Sequence, residues 1–198
     1  RDIRAAFAAE NIIIAEVGAW RNMYHPDPDA ARRERDLVVE SLAVAEEVGA
    51  RCAITVVGSY AGADFTEWDA RNISEAAFDE AVELARAVID EVAPKRASLV
   101  YEIFPFSVVD APETIRDLID AIDRDRFGAH MDLVNLINSP RAYFDTAGIL
   151  SRRLRLWGDR IVSAHAKDLE MRNPAISVVL EEVPPGAGGI DYATYLRG

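Results

Sequence analysis

Ser98-Leu99-Val100-Tyr101, then Pro112-Glu113-Thr114-Ile115-Arg116-Asp117-Leu118-Ile119-Asp120-Ala121-Ile122, then Phe127-Gly128-Ala129-His130-Met131: a short apolar run, an amphipathic segment and a second apolar run follow in order. Ile115, Leu118, Ile119 and Ile122 recur at helical spacing, so the middle segment presents one apolar stripe. The flanking runs are apolar almost throughout instead of alternating, as strands covered on both faces should be. Strand, helix, strand is the βαβ unit, whose right-handed crossover makes its two strands parallel.

The same alternation continues outward. Ile12-Ile13-Ile14-Ala15, Ala53-Ile54-Thr55-Val56-Val57 and Ile161-Val162-Ser163-Ala164 read as further strands, and Ser177-Val178-Val179-Leu180 as a less distinct extra one. Leu37, Ser41, Val44 and Val48 fall on a helical stripe that Gly49 stops. Phe78, Val82, Ala85 and Ile89 form another, entered through Ser74 with Glu75 in its first turn and ended before Pro94. Tyr143, Ala147, Leu150 and Leu154 form a third, followed by Gly158. The pattern predicts an α/β fold, a (β/α)8 TIM barrel of which about five to six βα units are visible, in one domain over residues 1–198. A full barrel usually takes about 250 residues. The chain opens in a helix fragment and stops in the helix-like Tyr192-Ala193-Thr194-Tyr195-Leu196, so the expectation is a barrel truncated at both ends. An open doubly wound sheet would carry a Gly-x-Gly-x-x-Gly turn after an early strand, and none is present there. The late Pro184-Pro185-Gly186-Ala187-Gly188-Gly189 follows no distinct strand and reads as a turn, not a nucleotide site.

Composition narrows the partners. The 198 residues carry 22 basic and 34 acidic side chains, a net charge of −12, which disfavours nucleic acid and anionic membrane. Arg152-Arg153-Leu154-Arg155 reads as the solvated face of a helix, with Leu150, Leu154 and Trp157 turned inward. No apolar run approaches the ~20 residues that span a bilayer, and Arg1-Asp2-Ile3-Arg4-Ala5-Ala6-Phe7 lacks the form of a secretory signal. The lone Cys52, inside an apolar segment, suits a buried inert thiol and a reducing cytoplasm. A homo-oligomer is compatible with all of this.

The candidate chemistry lies where the strands end. Glu102, Asp132 and His165 follow three successive apolar runs, 30 and 33 residues apart, one βα unit each. Strand ends of a barrel face a shared mouth. Alone, Glu102 reads as a cap or salt-bridge partner, Asp132 as a turn residue and His165 as a satisfied core histidine. Together they bring two carboxylates close, which is costly unless a cation or proton compensates. Two oxygen donors and one imidazole suit Mn²⁺, Mg²⁺, Co²⁺ or Zn²⁺, with no nearby thiolate to favour structural zinc.

Tyr101-Glu102-Ile103-Phe104-Pro105, His130-Met131-Asp132-Leu133-Val134-Asn135 and His165-Ala166-Lys167-Asp168 resemble the metal-binding strand ends of the sugar phosphate isomerase/epimerase family, the xylose-isomerase-like barrels. Glu16-Val17-Gly18-Ala19-Trp20-Arg21-Asn22 and Pro185-Gly186-Ala187-Gly188-Gly189-Ile190-Asp191-Tyr192 are similar to that family's loops, so the resemblance runs over nearly the whole chain in order. It implies a divalent metal held by Glu102, Asp132 and His165, with a second glutamate that belongs beyond Gly198 and is not in this sequence. It also implies isomerisation or epimerisation of a sugar or sugar phosphate: the metal polarises the substrate oxygens and Glu102 moves the proton beside the carbonyl. Lys167 then becomes a candidate for a substrate oxygen or phosphate, with a salt bridge to Asp168 or Glu170 as its plainer reading. Asn135 and Asn22 are candidates for hydroxyl recognition. Trp20, with Trp68, Phe104 and Phe106, is a candidate apolar wall, with core packing as the alternative. His25 reads as a surface residue in the Tyr24–Asp29 loop, a mobile lid being the other option for that loop. A dehydratase or lyase on a sugar or inositol derivative would use the same proton transfer. An endonuclease at abasic DNA sites would need a cationic face and more than the three histidines present. A non-catalytic degenerate barrel is the remaining alternative.

Overall fold

The computed structural model describes residues 2–172 and 176–198, so Arg1 of the opening stretch lies outside it. Five strands, β1 (Glu16–Gly18), β2 (Cys52–Thr55), β3 (Ser98–Tyr101), β4 (Phe127–Asp132) and β5 (Ile161–His165), pair in sequence order. Every neighbouring pair is parallel. The sheet is curled and open, a half-barrel consistent with an incomplete (β/α)8 barrel. The connections are helical: α2 (Pro28–Val48), α3 (Glu75–Val92), α4 (Pro112–Ile122), and α5 (Pro140–Tyr143) followed by α6 (Thr146–Trp157). A short α1 (Ile3–Ala9) precedes the sheet.

Every residue of β2, β3 and β4 is buried, which accounts for their largely apolar character. β1 corrects the expected first strand. Ile12–Ala15 makes no ladder, and Ile13 is 71% exposed; pairing starts with Glu16 opposite Cys52. An apolar run announces a strand nearby without fixing its register. The expected sixth strand is also corrected. Val179–Val183 (β7) pairs antiparallel with Asp168–Arg172 (β6) in a separate ribbon and begins no further βα unit. α7 (Tyr192–Arg197) follows it.

The helices carry the expected stops and caps. Asp27 accepts from the Asp29 and Ala30 N–H groups at the start of α2, and Gly49 ends it with φ 75°, a left-handed position that glycine adopts without steric cost. Ser74 caps α3 by accepting from Ala77 N–H. α4 buries Ile115, Leu118, Ile119 and Ile122, the stripe its sequence predicts. α2 departs from expectation: it buries Val38, Leu42 and Ala45, one residue round from the predicted stripe, and leaves Val44 exposed. The predicted Tyr143–Leu154 helix is divided at Phe144–Asp145 into α5 and α6. α6 buries Leu150, Trp157 and, against expectation, Arg153. Arg153 Nη1 donates to the Asp132 carbonyl, so this guanidinium braces the end of β4 and does not face solvent. Among the described residues, no helix is long and apolar enough to cross a membrane.

Candidate metal centre

Glu102, Asp132 and His165 reach one place because their strands end at one level. Asp132 and His165 are register partners on β4 and β5. Glu102, just past β3, is still tied to β2 by its N–H donating to the Thr55 carbonyl, 2.8 Å. His165 Nδ1 lies 3.5 Å from Glu102 Oε1 and 3.6 Å from Asp132 Oδ2. His130, two residues before Asp132, shares its face of β4 by strand alternation. Glu102, His130, Asp132 and His165 each offer one ligand atom, and those atoms all lie within 4.8 Å of one another. Glu102, His130 and Asp132 are buried and His165 is partly so.

Outer contacts hold each group. Asp132 Oδ1 accepts from Val134 and Asn135 N–H, 2.8 and 2.9 Å, leaving Oδ2 turned toward His165 and, at 3.1 Å, Lys167 Nζ. Trp20 Nε1 donates to Glu102 Oε2 at 2.5 Å, and Asn135 Nδ2 to Glu102 Oε1 at 3.3 Å. Glu16 Oε1 pairs with His165 Nε2 at 2.7 Å. Burial pushes the Glu102 carboxyl above the usual range, with the Asp132 charge adding to it against the Trp20 N–H. Burial disfavours the charged forms of His165 and Lys167, yet the surrounding carboxylates outweigh it and both are raised: Glu16 acts first on His165, Asp132 first on Lys167. Burial, then the neighbouring His165, takes His130 down to about 4.

The donor set fits a divalent cation. Two buried carboxylates and two imidazoles surround a small space, and His165 Nδ1 and His130 Nε2 are buried without a hydrogen-bond partner. Hard oxygens with imidazole nitrogens are the donors that Mg²⁺, Mn²⁺, Co²⁺ and Zn²⁺ accept.

The remaining candidates divide. Lys167 faces Glu102, Asp132 and Glu182, and its ion pairs run to these instead of to Asp168 or Glu170. Asn135 and Trp20 touch Glu102 directly. Asn22 bonds to backbone: its Nδ2 donates to the Ser59 and Gly62 carbonyls, 3.0 and 2.7 Å, and its Oδ1 accepts from Ser59 N–H, 2.8 Å. Both amide hydrogens are thereby engaged in pinning the 59–62 loop. Trp20, Trp68 and Phe106 are exposed, not core, and Phe104 packs edge-on against Phe65 and Phe106. His25 is partly buried, and its Nδ1 accepts from Asp27 N–H. Cys52 is buried, its thiol pushed up to about 11 by burial, which suits an inert role.

Two participants escaped the sequence reading. His130 lies inside a run counted as strand, although its two-residue offset from Asp132 is a usable signal. Glu16 stands in the Glu16–Asn22 stretch likened to the family's loops, but the apolar run Ile12–Ala15 draws the first strand four residues early and conceals that Glu16 belongs to β1 and faces the site.

The chain matches the family model described as xylose isomerase-like TIM barrel over residues 1–197. A search of curated proteins finds no match. Among solved structures it is similar to a xylose isomerase-like TIM barrel protein from Mycobacterium smegmatis in complex with magnesium, at 18% identity and TM-score 0.71, covering 98% of this chain and 64% of that one. It is also similar to the IOLI protein with a bound zinc atom, at 16% identity and TM-score 0.64, covering 98% of this chain and 66% of that one. A D-allulose 3-epimerase from Methylomonas sp. superposes at 16% identity and TM-score 0.63, covering 98% of this chain and 63% of that one. The chain therefore spans about two thirds of the length of these structures, and at such identities the likeness establishes the fold alone. The family match over almost every residue, joined to a clustered Glu/Asp/His site at the strand ends, leads to one conclusion: this chain belongs to the xylose isomerase-like TIM barrel family.

Proposed function

We propose that the protein is a divalent-metal-dependent isomerase or epimerase of a sugar or sugar phosphate, working by proton transfer at the carbon beside a carbonyl. The observation that carries this reading is the convergence of buried Glu102 and Asp132 on the unpartnered His165 Nδ1. Glu102, Asp132 and His165 would hold the ion, whether Mn²⁺, Mg²⁺, Co²⁺ or Zn²⁺. Bound there, a divalent ion supplies Lewis-acid stabilisation of negative charge on the substrate oxygens. The magnesium and zinc in two similar structures, and the epimerase activity named for a third, support the same class.

The chain's own groups do the rest. Glu102 takes up and returns the proton at a carboxylate oxygen, its basicity raised by burial. Trp20 and Asn135, donating to opposite oxygens of that carboxylate, fix its plane. Lys167, beside Asp132, binds a substrate oxygen or phosphate as a point charge. The exposed faces of Trp20, Phe106 and Trp68 cover the carbon skeleton. A net charge of −12 speaks against a DNA substrate. The unpaired Cys52 suits a cytoplasmic setting.

The test is to incubate the metal-loaded protein with candidate ketoses and their phosphates in deuterated water, following deuterium beside the carbonyl by NMR. Wild type is expected to incorporate label, and Glu102→Gln to lose about 10²- to 10⁴-fold in rate. Full exchange by Glu102→Gln would remove Glu102 as the base. Loss of water from the substrate, in place of a rearranged sugar, would move the protein to the dehydratase class on the same barrel.

A further inference from the structure

The two histidines at the site are held alike. His165 is tied through Nε2 to Glu16 Oε1 at 2.7 Å, and its Nδ1 has no partner. His130 is tied through Nδ1 to Ser163 Oγ at 2.9 Å, and its Nε2 has no partner. Each ring thus has one nitrogen engaged by an outer group and the other buried without a hydrogen-bond partner. That is the arrangement of metal-ligating imidazoles, whose second nitrogen is oriented by a carboxylate, carbonyl or hydroxyl. The tautomer follows: if Nδ1–H of His130 donates to Ser163, its Nε2 carries a lone pair and no proton. The rings meet edge to face with centroids 4.2 Å apart, so both are fixed against the same space. A fully buried His130 with an unpartnered ring nitrogen and no task is unfavourable, and a packing role alone would be filled by an apolar ring without that penalty.

We propose that His130 is a fourth ligand, and that the resulting pair of imidazoles with Glu102 and Asp132 makes the site select zinc or cobalt over magnesium. The inference rests on the metal site of the proposed function and deepens it. Its physical basis is donor softness. Carboxylate oxygens alone suit Mg²⁺ and Mn²⁺, and each added imidazole favours Zn²⁺ and Co²⁺. The ligand atoms of all four residues already lie within 4.8 Å of one another, so no rearrangement of the strands is required. Ser163, next but one to His165 on β5, acts as the positioning residue that aims the ring.

Calorimetric titration of the metal-free protein with Zn²⁺ and with Mg²⁺, for wild type, His130→Gln and Ser163→Ala, tests this. Wild type is expected to prefer Zn²⁺. His130→Gln should weaken Zn²⁺ at least about tenfold while changing Mg²⁺ little, and Ser163→Ala should weaken Zn²⁺ in the same direction by less. Unchanged Zn²⁺ affinity in His130→Gln overturns the inference and leaves the metal site standing. No binding of either ion by wild type overturns the metal site itself. X-ray absorption at the zinc edge of the loaded wild type needs no variant to fold: two imidazoles support the proposal and one contradicts it.

Discussion

Asn22 sits beneath the loop after β2, and its three hydrogen bonds leave no polar atom of the amide idle. Gly58, at φ +122°, passes so close that an added Cβ would lie 2.2 Å from Asn22 Oδ1, so loop and amide fit only as a pair. Asn22→Ala would leave the Ser59 N–H, which is buried, without its acceptor, and should lower stability by about 1–3 kcal/mol in urea unfolding. A loss below ~0.5 kcal/mol, the range of an ordinary surface change, would show that the staple is dispensable. The residues best seen from sequence were those whose chemistry coincides with a strand end: Glu102, Asp132 and His165 stand one βα unit apart. Asn22 could be suspected of polar work but not of which work, because its partners are backbone atoms some 37 to 40 positions away. Arg153 was misread for a similar reason. Helical periodicity scores any arginine as a solvent face, and only the Asp132 carbonyl on a neighbouring strand explains its burial.

Among elements, α2 shows how a weak stripe misleads. Leu37, Ser41, Val44 and Val48 and the buried Val38, Leu42 and Ala45 both obey helical spacing, and the two differ by about 100° of rotation. The sheet decides between them. Leu42→Ala should therefore cost about 2–5 kcal/mol and Val44→Ala less than about 0.5 kcal/mol, measured by chemical denaturation; comparable losses would place the seam on the other face. The β6–β7 ribbon was the least legible element, since its strands carry charges and the loop after β7 is gathered on a single carboxylate. Asp168 Oδ1 accepts from Leu169 and Ile190 N–H, and Oδ2 from Gly186 and Gly188 N–H, at 2.9–3.0 Å. Burial alone would raise its pKa, but these four donors hold it below the usual carboxylate value. A depressed folded pKa stabilises the protein above the unfolded value of about 3.9, and that stability is lost as pH falls through the folded pKa. Asp168→Asn should cost about 1.5–3 kcal/mol at neutral pH, with the gap to wild type closing in acid. A gap that stays constant with pH would mean the charge is not what holds the Gly186–Ile190 loop.

At the scale of the molecule, parallel order was legible because each βα unit adds its strand beside the last, and β1 to β5 pair in that sequence. Curl and convergence were not written in any one segment. They arise when twisted strands close toward a barrel, which brings Glu102, Asp132 and His165, separated by 30 and 33 residues in the chain, within 3.6 Å contacts. Three carboxylates, Glu16, Glu102 and Asp132, meet there with Lys167 as the only lysine or arginine side chain paired to them among the described residues. Such a concentration of negative charge and bare imidazole nitrogen calls for a cation. The most direct measurement is an anomalous difference map from crystals of the protein grown with Mn²⁺ or Zn²⁺. A single strong peak bounded by Glu102, Asp132 and His165 is the predicted result; ordered side chains at those three positions with no peak between them would contradict it.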